Sequence, residues 1–151
     1  MTNMVLMPVS LKKEARAIAA LNRETEENGL TLTQAQAEQL VEVRAQSLRR
    51  TGRVEFAPGR IERLIRAFRS SPYLSQADYV DTLAALIELF DTVKTETDDR
   101  ISDAALIDAM RTAFDGICHG SLELLADEVL SQVVRRTNAR DGTEWTMTED
   151  A

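Results

Sequence analysis

One cysteine, one histidine, three prolines and 5% aromatic residues are spread over 151 positions, and each scarcity narrows what the chain can be. A lone Cys118 has no partner for an internal disulfide, which speaks against a cross-linked secreted scaffold and makes a reducing cytoplasm the expected setting. With so few aromatics, a core must come from Leu, Ile, Val and Ala, a composition that suits helix packing. No window approaches the roughly 20 consecutive apolar residues needed to cross a bilayer. The apolar run from Met4 to Met7 gives way to Pro8, Lys12, Lys13 and Glu14, and reads neither as a signal peptide nor as a span. Phosphate loops, dinucleotide fingerprints, zinc clusters and serine elbows are all missing. No catalytic residue, metal site or cofactor is expected on these grounds.

What is present suffices for one domain. A chain of this length buries roughly 70% of the surface its unfolded form exposes, and a content of 44% hydrophobic and 28% charged residues is ordinary for a globular protein. Apolar periodicity and end signals predict an all-α bundle of about six helices over residues 1–138, with about nine loose residues at the start. The first helix runs from about Ser10 to Glu27, with Leu11, Ala15, Ile18, Ala19 and Asn22 on one face and Asn28-Gly29 as its stop. Thr33 caps the second, Gln36 completes a capping box, and Gly52 follows its end near Arg50. Pro58 suits the first turn of a third helix carrying Ile61, Leu64, Ile65 and Phe68. Ser75 starts a fourth over about 76–97, apolar around more than half its circumference and therefore central. Ser102 and Ser121 start a fifth, ending at Gly116, and a sixth, reaching Arg136. Residues 139–151 read as a mobile acidic tail. No alternation is long enough for a strand.

Charge is segregated along this framework. Between Arg44 and Arg69 stand eight arginines and two glutamates, whereas the remaining residues hold ten bases against 23 acids. Arg49, Arg50, Arg53 and Arg60 gather around the loop into the third helix, and Arg63 follows one turn later. Arginine forks near helix amides suit phosphates or carboxylates, so an acidic protein or a phosphate-bearing ligand is the expected partner, and self-association is open to such a surface. The competing expectation is an arginine face neutralised by acids of the same fold. Nucleic acid is disfavoured, because a pI of 4.8 lacks the broad positive field that backbone binding needs.

Three local patterns invite sharper chemistry. From Lys94 to Ala105 the chain follows the spacing of an EF-hand loop, with Glu96 and Asp98 at ligand positions, Ile101 at the hydrophobic eighth position and Ser102 at the ninth. Lys94 at the first position, Asp99 at the glycine position and Ala105 at the twelfth remove the end ligands, which makes it a polar connector. Arg44 falls on the apolar face of Ala37, Leu40, Val41 and Leu48 and needs a buried partner, with Glu123 the candidate and Asn22 the third member of a polar cluster. A small anionic-ligand binder or an enzyme with a pocket around Arg44 and Glu123 is the alternative to an interaction surface. Cys118 and His119 are neighbours in sequence, and neighbouring loop residues rarely aim at one another as nucleophile and base.

The segments Leu30-Thr-Leu-Thr33, Leu40-Val-Glu-Val-Arg44, Thr51-Gly-Arg-Val-Glu-Phe56, Ser71-Pro-Tyr73, Glu96-Thr-Asp-Asp99 and Gly120-Ser-Leu-Glu-Leu-Leu125 together resemble an uncharacterised family of small bacterial proteins, met largely in Gram-positive anaerobes. The resemblance spans about Asn22 to Val134 and implies one continuous helical domain and a bacterial cytoplasmic protein without assigned catalysis. It carries no functional residue. The expectation is therefore a non-enzymatic interaction or assembly module using the arginine face.

Overall fold

Hydroxyl side chains decide where several helices of this chain begin. The computed structural model describes residues 7–54 and 59–140, and among these it forms six helices and no strand. They are α1 (Val9–Ala20), α2 (Gln34–Thr51), α3 (Arg60–Phe68), α4 (Tyr79–Glu96), α5 (Asp103–Asp115) and α6 (residues 122–140). Thr33 Oγ1 accepts from the Gln36 amide at 3.0 Å while Gln36 Oε1 accepts from the Thr33 amide at 2.9 Å, the expected capping box. Ser102 Oγ accepts from Ala105 N and Ser121 Oγ from Leu124 N, at 3.1 and 3.2 Å, satisfying amides that have no intrahelical partner. α2 stops where Gly52 turns left-handed, at a φ of 70°.

The remaining boundaries differ from the pattern in instructive ways. The first helix ends at Ala20, and a short helical turn (Asn22–Thr25) and a 3-10 turn (Glu26–Asn28) continue to Gly29. Side chains of this segment serve the following loop: Asn22 exchanges two 2.8 Å hydrogen bonds with the backbone of Leu32, and Thr25 Oγ1 donates to the Leu30 carbonyl at 2.7 Å. Gln76, from across the molecule, does the same for Thr31. Ser75 spends its hydroxyl on the Asp78 carboxylate, so a 3-10 turn (Gln76–Asp78) precedes α4. α3 begins at Arg60 behind left-handed Gly59, and Pro58 lies outside the described residues. α6 widens to a π-helix over Leu125–Leu130 and continues to Arg140, beyond the Arg136 expected. The acidic tail lies, from residue 141, outside the described residues.

α4 is central, as its apolar circumference requires: it packs on α2, α3 and α6, with Leu83, Leu86, Ile87 and Phe90 buried. α1 covers α2 through Ala15 and Ile18, and α3 meets α5 where Phe68 and Phe114 stack edge to face at 5.5 Å. Tyr79, at the start of α4, is 1% exposed, and burial pushes its hydroxyl up to about 12 despite a hydrogen bond with Thr25. Among the described residues no helix is long and apolar enough to cross a membrane.

Candidate functional site

The arginine segment folds inward onto a carboxylate. Asp91 lies one turn after Ile87 on α4 and is fully buried, and Arg60 of α3 pairs with its Oδ1. Arg53, just past the end of α2, reaches the same oxygen at 3.1 Å and Asp99 Oδ1 at 2.7 Å. The Arg60 guanidinium also lies 4.7 Å from the centre of the Phe90 ring, a cation–π contact inside the core. Two of the five arginines expected to meet an external anion, Arg53 and Arg60, thus have an internal one. A buried guanidinium without a counter-charge costs several kcal/mol, which is the physical reason the fold supplies Asp91.

The neighbouring α4–α5 loop has an ammonium at its centre. Lys94 Nζ donates to the Ile101 carbonyl at 2.6 Å, pairs with Asp103 at 2.8 Å and lies 3.7 Å from Asp99. The residue at the first EF-hand position therefore places a protein cation among the loop's own oxygens. Asp99, at the glycine position, takes the left-handed turn at a φ of 61°, a conformation that aspartate tolerates better than most residues. Burial works to raise the Asp103 carboxyl, but the Lys94 hydrogen bond and the charges of Lys94, Arg63 and Arg60 outweigh it and hold the group below its ordinary 3.8.

Other arginines also have acids of the same chain. Arg63 reaches Asp103 at 3.4 Å and Arg66 reaches Glu24 at 3.2 Å; the Arg66 hydrogen bond lowers the Glu24 carboxyl despite its exposure. Arg69 donates to the Glu24 carbonyl at 2.6 Å, fastening α3 to the turn after α1. Arg49 meets Glu42 at 3.6 Å with both side chains exposed, a pair of little energetic weight. Arg50 is exposed beside it, and both stand in the last turn of α2, where the helix dipole favours cations.

The cluster of Asn22, Arg44 and Glu123 does not assemble. Arg44 is 6% exposed, as its wheel position requires, but its fork closes on Glu14 of α1, with the Nη2 to Oε1 bond at 2.7 Å. Asn22 serves the Leu32 backbone, and Glu123 is exposed on α6. Two residues carry these corrections, and both left a trace in the sequence: Glu14 falls on the stripe of Leu11, Ala15 and Ile18, and Asp91 falls four residues after Ile87. An acid on an apolar stripe asks for a buried cation just as Arg44 asks for an acid.

Cys118 and His119 point apart. The thiol is 1% exposed and pushed up by burial, while the exposed imidazole places Nδ1 3.4 Å from the Tyr73 hydroxyl. The turn is closed by Gly120, whose φ is 81° and where an added Cβ would come within 2.7 Å of the Tyr73 side chain.

On another side of α4 lies an open groove against α6. One stretch, of about 490 Å³, is lined by Arg50, Glu88 and Glu123 among others, and the next, of about 340 Å³, reaches Glu96 and Ser131. Both share Leu89, Thr92, Ala126 and Asp127, so they form one channel along the two helices. The floor is apolar and the exposed rims are acidic.

The family of unknown function DUF6323 matches residues 17–143, and the chain belongs to that family. No curated protein and no solved structure matches the chain.

Proposed function

We propose that this member of a family of unknown function is a non-enzymatic protein-interaction or assembly module of the cytoplasm. The observation that supports the reading best is the division of its charges. Arg60 and Lys94 are buried and Arg53 half-buried on Asp91, Asp99 and Asp103, where they join α3, α4 and α5; the charges left outside lie on helix surfaces. Of the arginines expected to face a partner, Arg49 and Arg50 stand exposed together at the end of α2, and an acidic protein surface is the complement they fit. The small-ligand alternative around Arg44 loses its anchor, because Glu14 already occupies that guanidinium. A reducing compartment suits the single, buried Cys118 thiol.

Native mass spectrometry of the protein purified gently from its own cells tests the reading. An added mass of kilodaltons that disappears in the variant Arg49→Glu with Arg50→Glu supports it. A retained mass of a few hundred daltons would replace it with a small-molecule binder, and a bare monomer would count against any stable partner.

A further inference from the structure

We propose that the groove between α4 and α6 is a second docking surface, built for a basic amphipathic helix of a partner protein. It goes beyond the arginine end of α2 and uses charges of the opposite sign. On α4, Leu89 and Val93 lie on the floor with Glu88 and Glu96 beside them; on α6, Ala126 and Leu130 lie on the floor with Glu123 and Asp127 beside them. Leu89 and Val93, Ala126 and Leu130, and Glu123 and Asp127 are each four residues apart and Glu88 and Glu96 eight, so on each helix they share a face, and an apolar strip interrupted by Thr92 runs between acidic residues of the two helices.

Glu88, Glu96, Glu123 and Asp127 are all exposed, and none has an ion pair among the described residues. By contrast, Asp91, Asp103 and Glu14 on the packed faces each hold a cation of the same chain. Four acids around an apolar strip repel an acidic partner and favour Lys or Arg flanking apolar anchors. The wall backbones are helical and already bonded, and Ser131 Oγ occupies the Asp127 carbonyl at 2.8 Å, so a strand would find no edge to pair with. A helix fits instead. Residues 85–96 of α4 line the channel for about 16 Å at 1.5 Å per residue, which is about three turns of an incoming helix. Ala85 and Ala126 line one stretch and leave room for a large side chain of the partner. The π-helix of α6, a feature that recurs at functional sites, falls along this wall.

The test uses the full chain and three fluorescent peptides of about four turns. One carries a leucine stripe at helical spacing with lysine elsewhere; its twin has glutamate for lysine; the third scrambles the first. Anisotropy at physiological salt is expected to show the lysine helix binding at least about tenfold more tightly than either control. The variant Glu123→Lys with Asp127→Lys is expected to lose about tenfold in affinity while melting like the parent, and Arg49→Glu with Arg50→Glu is expected to bind at least as well. Equal binding of the scrambled peptide, or indifference to Glu123→Lys with Asp127→Lys, would overturn the groove. Binding of the glutamate twin alone, lost with the Arg49 and Arg50 reversals, would overturn it while leaving the arginine-end reading intact. A dimer seen by sedimentation that Glu123→Lys with Asp127→Lys dissolves would make a second copy the occupant and would also overturn it.

Discussion

α4 carries carboxylates on two faces, and the two are treated in opposite ways. Asp91 is fully buried and holds two arginines from elsewhere in the chain, whereas Glu88 and Glu96 are exposed and hold none. The inward acid is a structural anion that lets α3 and the end of α2 close over the helix. The outward acids contribute little to closing anything, and their field is available to a partner. Charge on this protein is therefore read by burial: the same residue type on the same helix is fold on one side and surface on the other.

The largest expected effect comes from breaking the inward side. Asp91→Ala leaves the Arg53 and Arg60 guanidinium groups without their shared counter-charge and should destabilise the fold by about 3–5 kcal/mol, measured by urea denaturation. If Glu88→Ala costs as much as Asp91→Ala, the contrast between the faces is wrong. Arg44→Met strands Glu14 and should cost about 2–3 kcal/mol, less than at Asp91 because Glu14 is 19% exposed. Adding Glu14→Gln should recover part of that loss, and the double-mutant cycle measures the coupling. Lys94→Met should cost about 1–3 kcal/mol by leaving the Ile101 carbonyl without its donor and Asp103 with only the longer Arg63 contact.

A pH series sharpens the same point. Because the Asp103 carboxyl is held below its ordinary 3.8, its contribution is present above that pH and is lost as pH falls through the depressed value. Thermal melts of the parent should therefore weaken on acidification below about pH 4, and the Asp103→Asn protein should weaken less steeply. The smallest effect belongs to the groove. Glu123→Lys with Asp127→Lys should shift stability by no more than about 0.5 kcal/mol, because both side chains are exposed and unpaired among the described residues.

Much of the fold was legible without coordinates because its determinants are local. Thr33, Ser102 and Ser121 cap amides three residues away, Gly52 stops α2 through its own backbone, and the apolar stripe of α4 declares its burial within five turns. The misses have a different origin. The first helix broke early because Asn22 and Thr25 serve a loop that closes only in three dimensions, and Ser75 turned to Asp78. Of the candidate site, the burial of Arg44 was readable from its place on an apolar face, while its partner was not.

Sequence by itself determined the six helices, the central place of α4, the need for an internal counter-charge at Arg44 and the failure of the loop from Lys94 to keep the end ligands of a calcium site. Only the tertiary structure decided which acid meets which base. Arg44 and Glu14 are 30 positions apart, Arg60 and Asp91 are 31, and Arg53 and Asp99 are 46. Capping and periodicity act over three or four residues and are written in the chain. An ion pair depends on which helix faces pack together, and with 25 acids available to 18 bases that choice belongs to the packing.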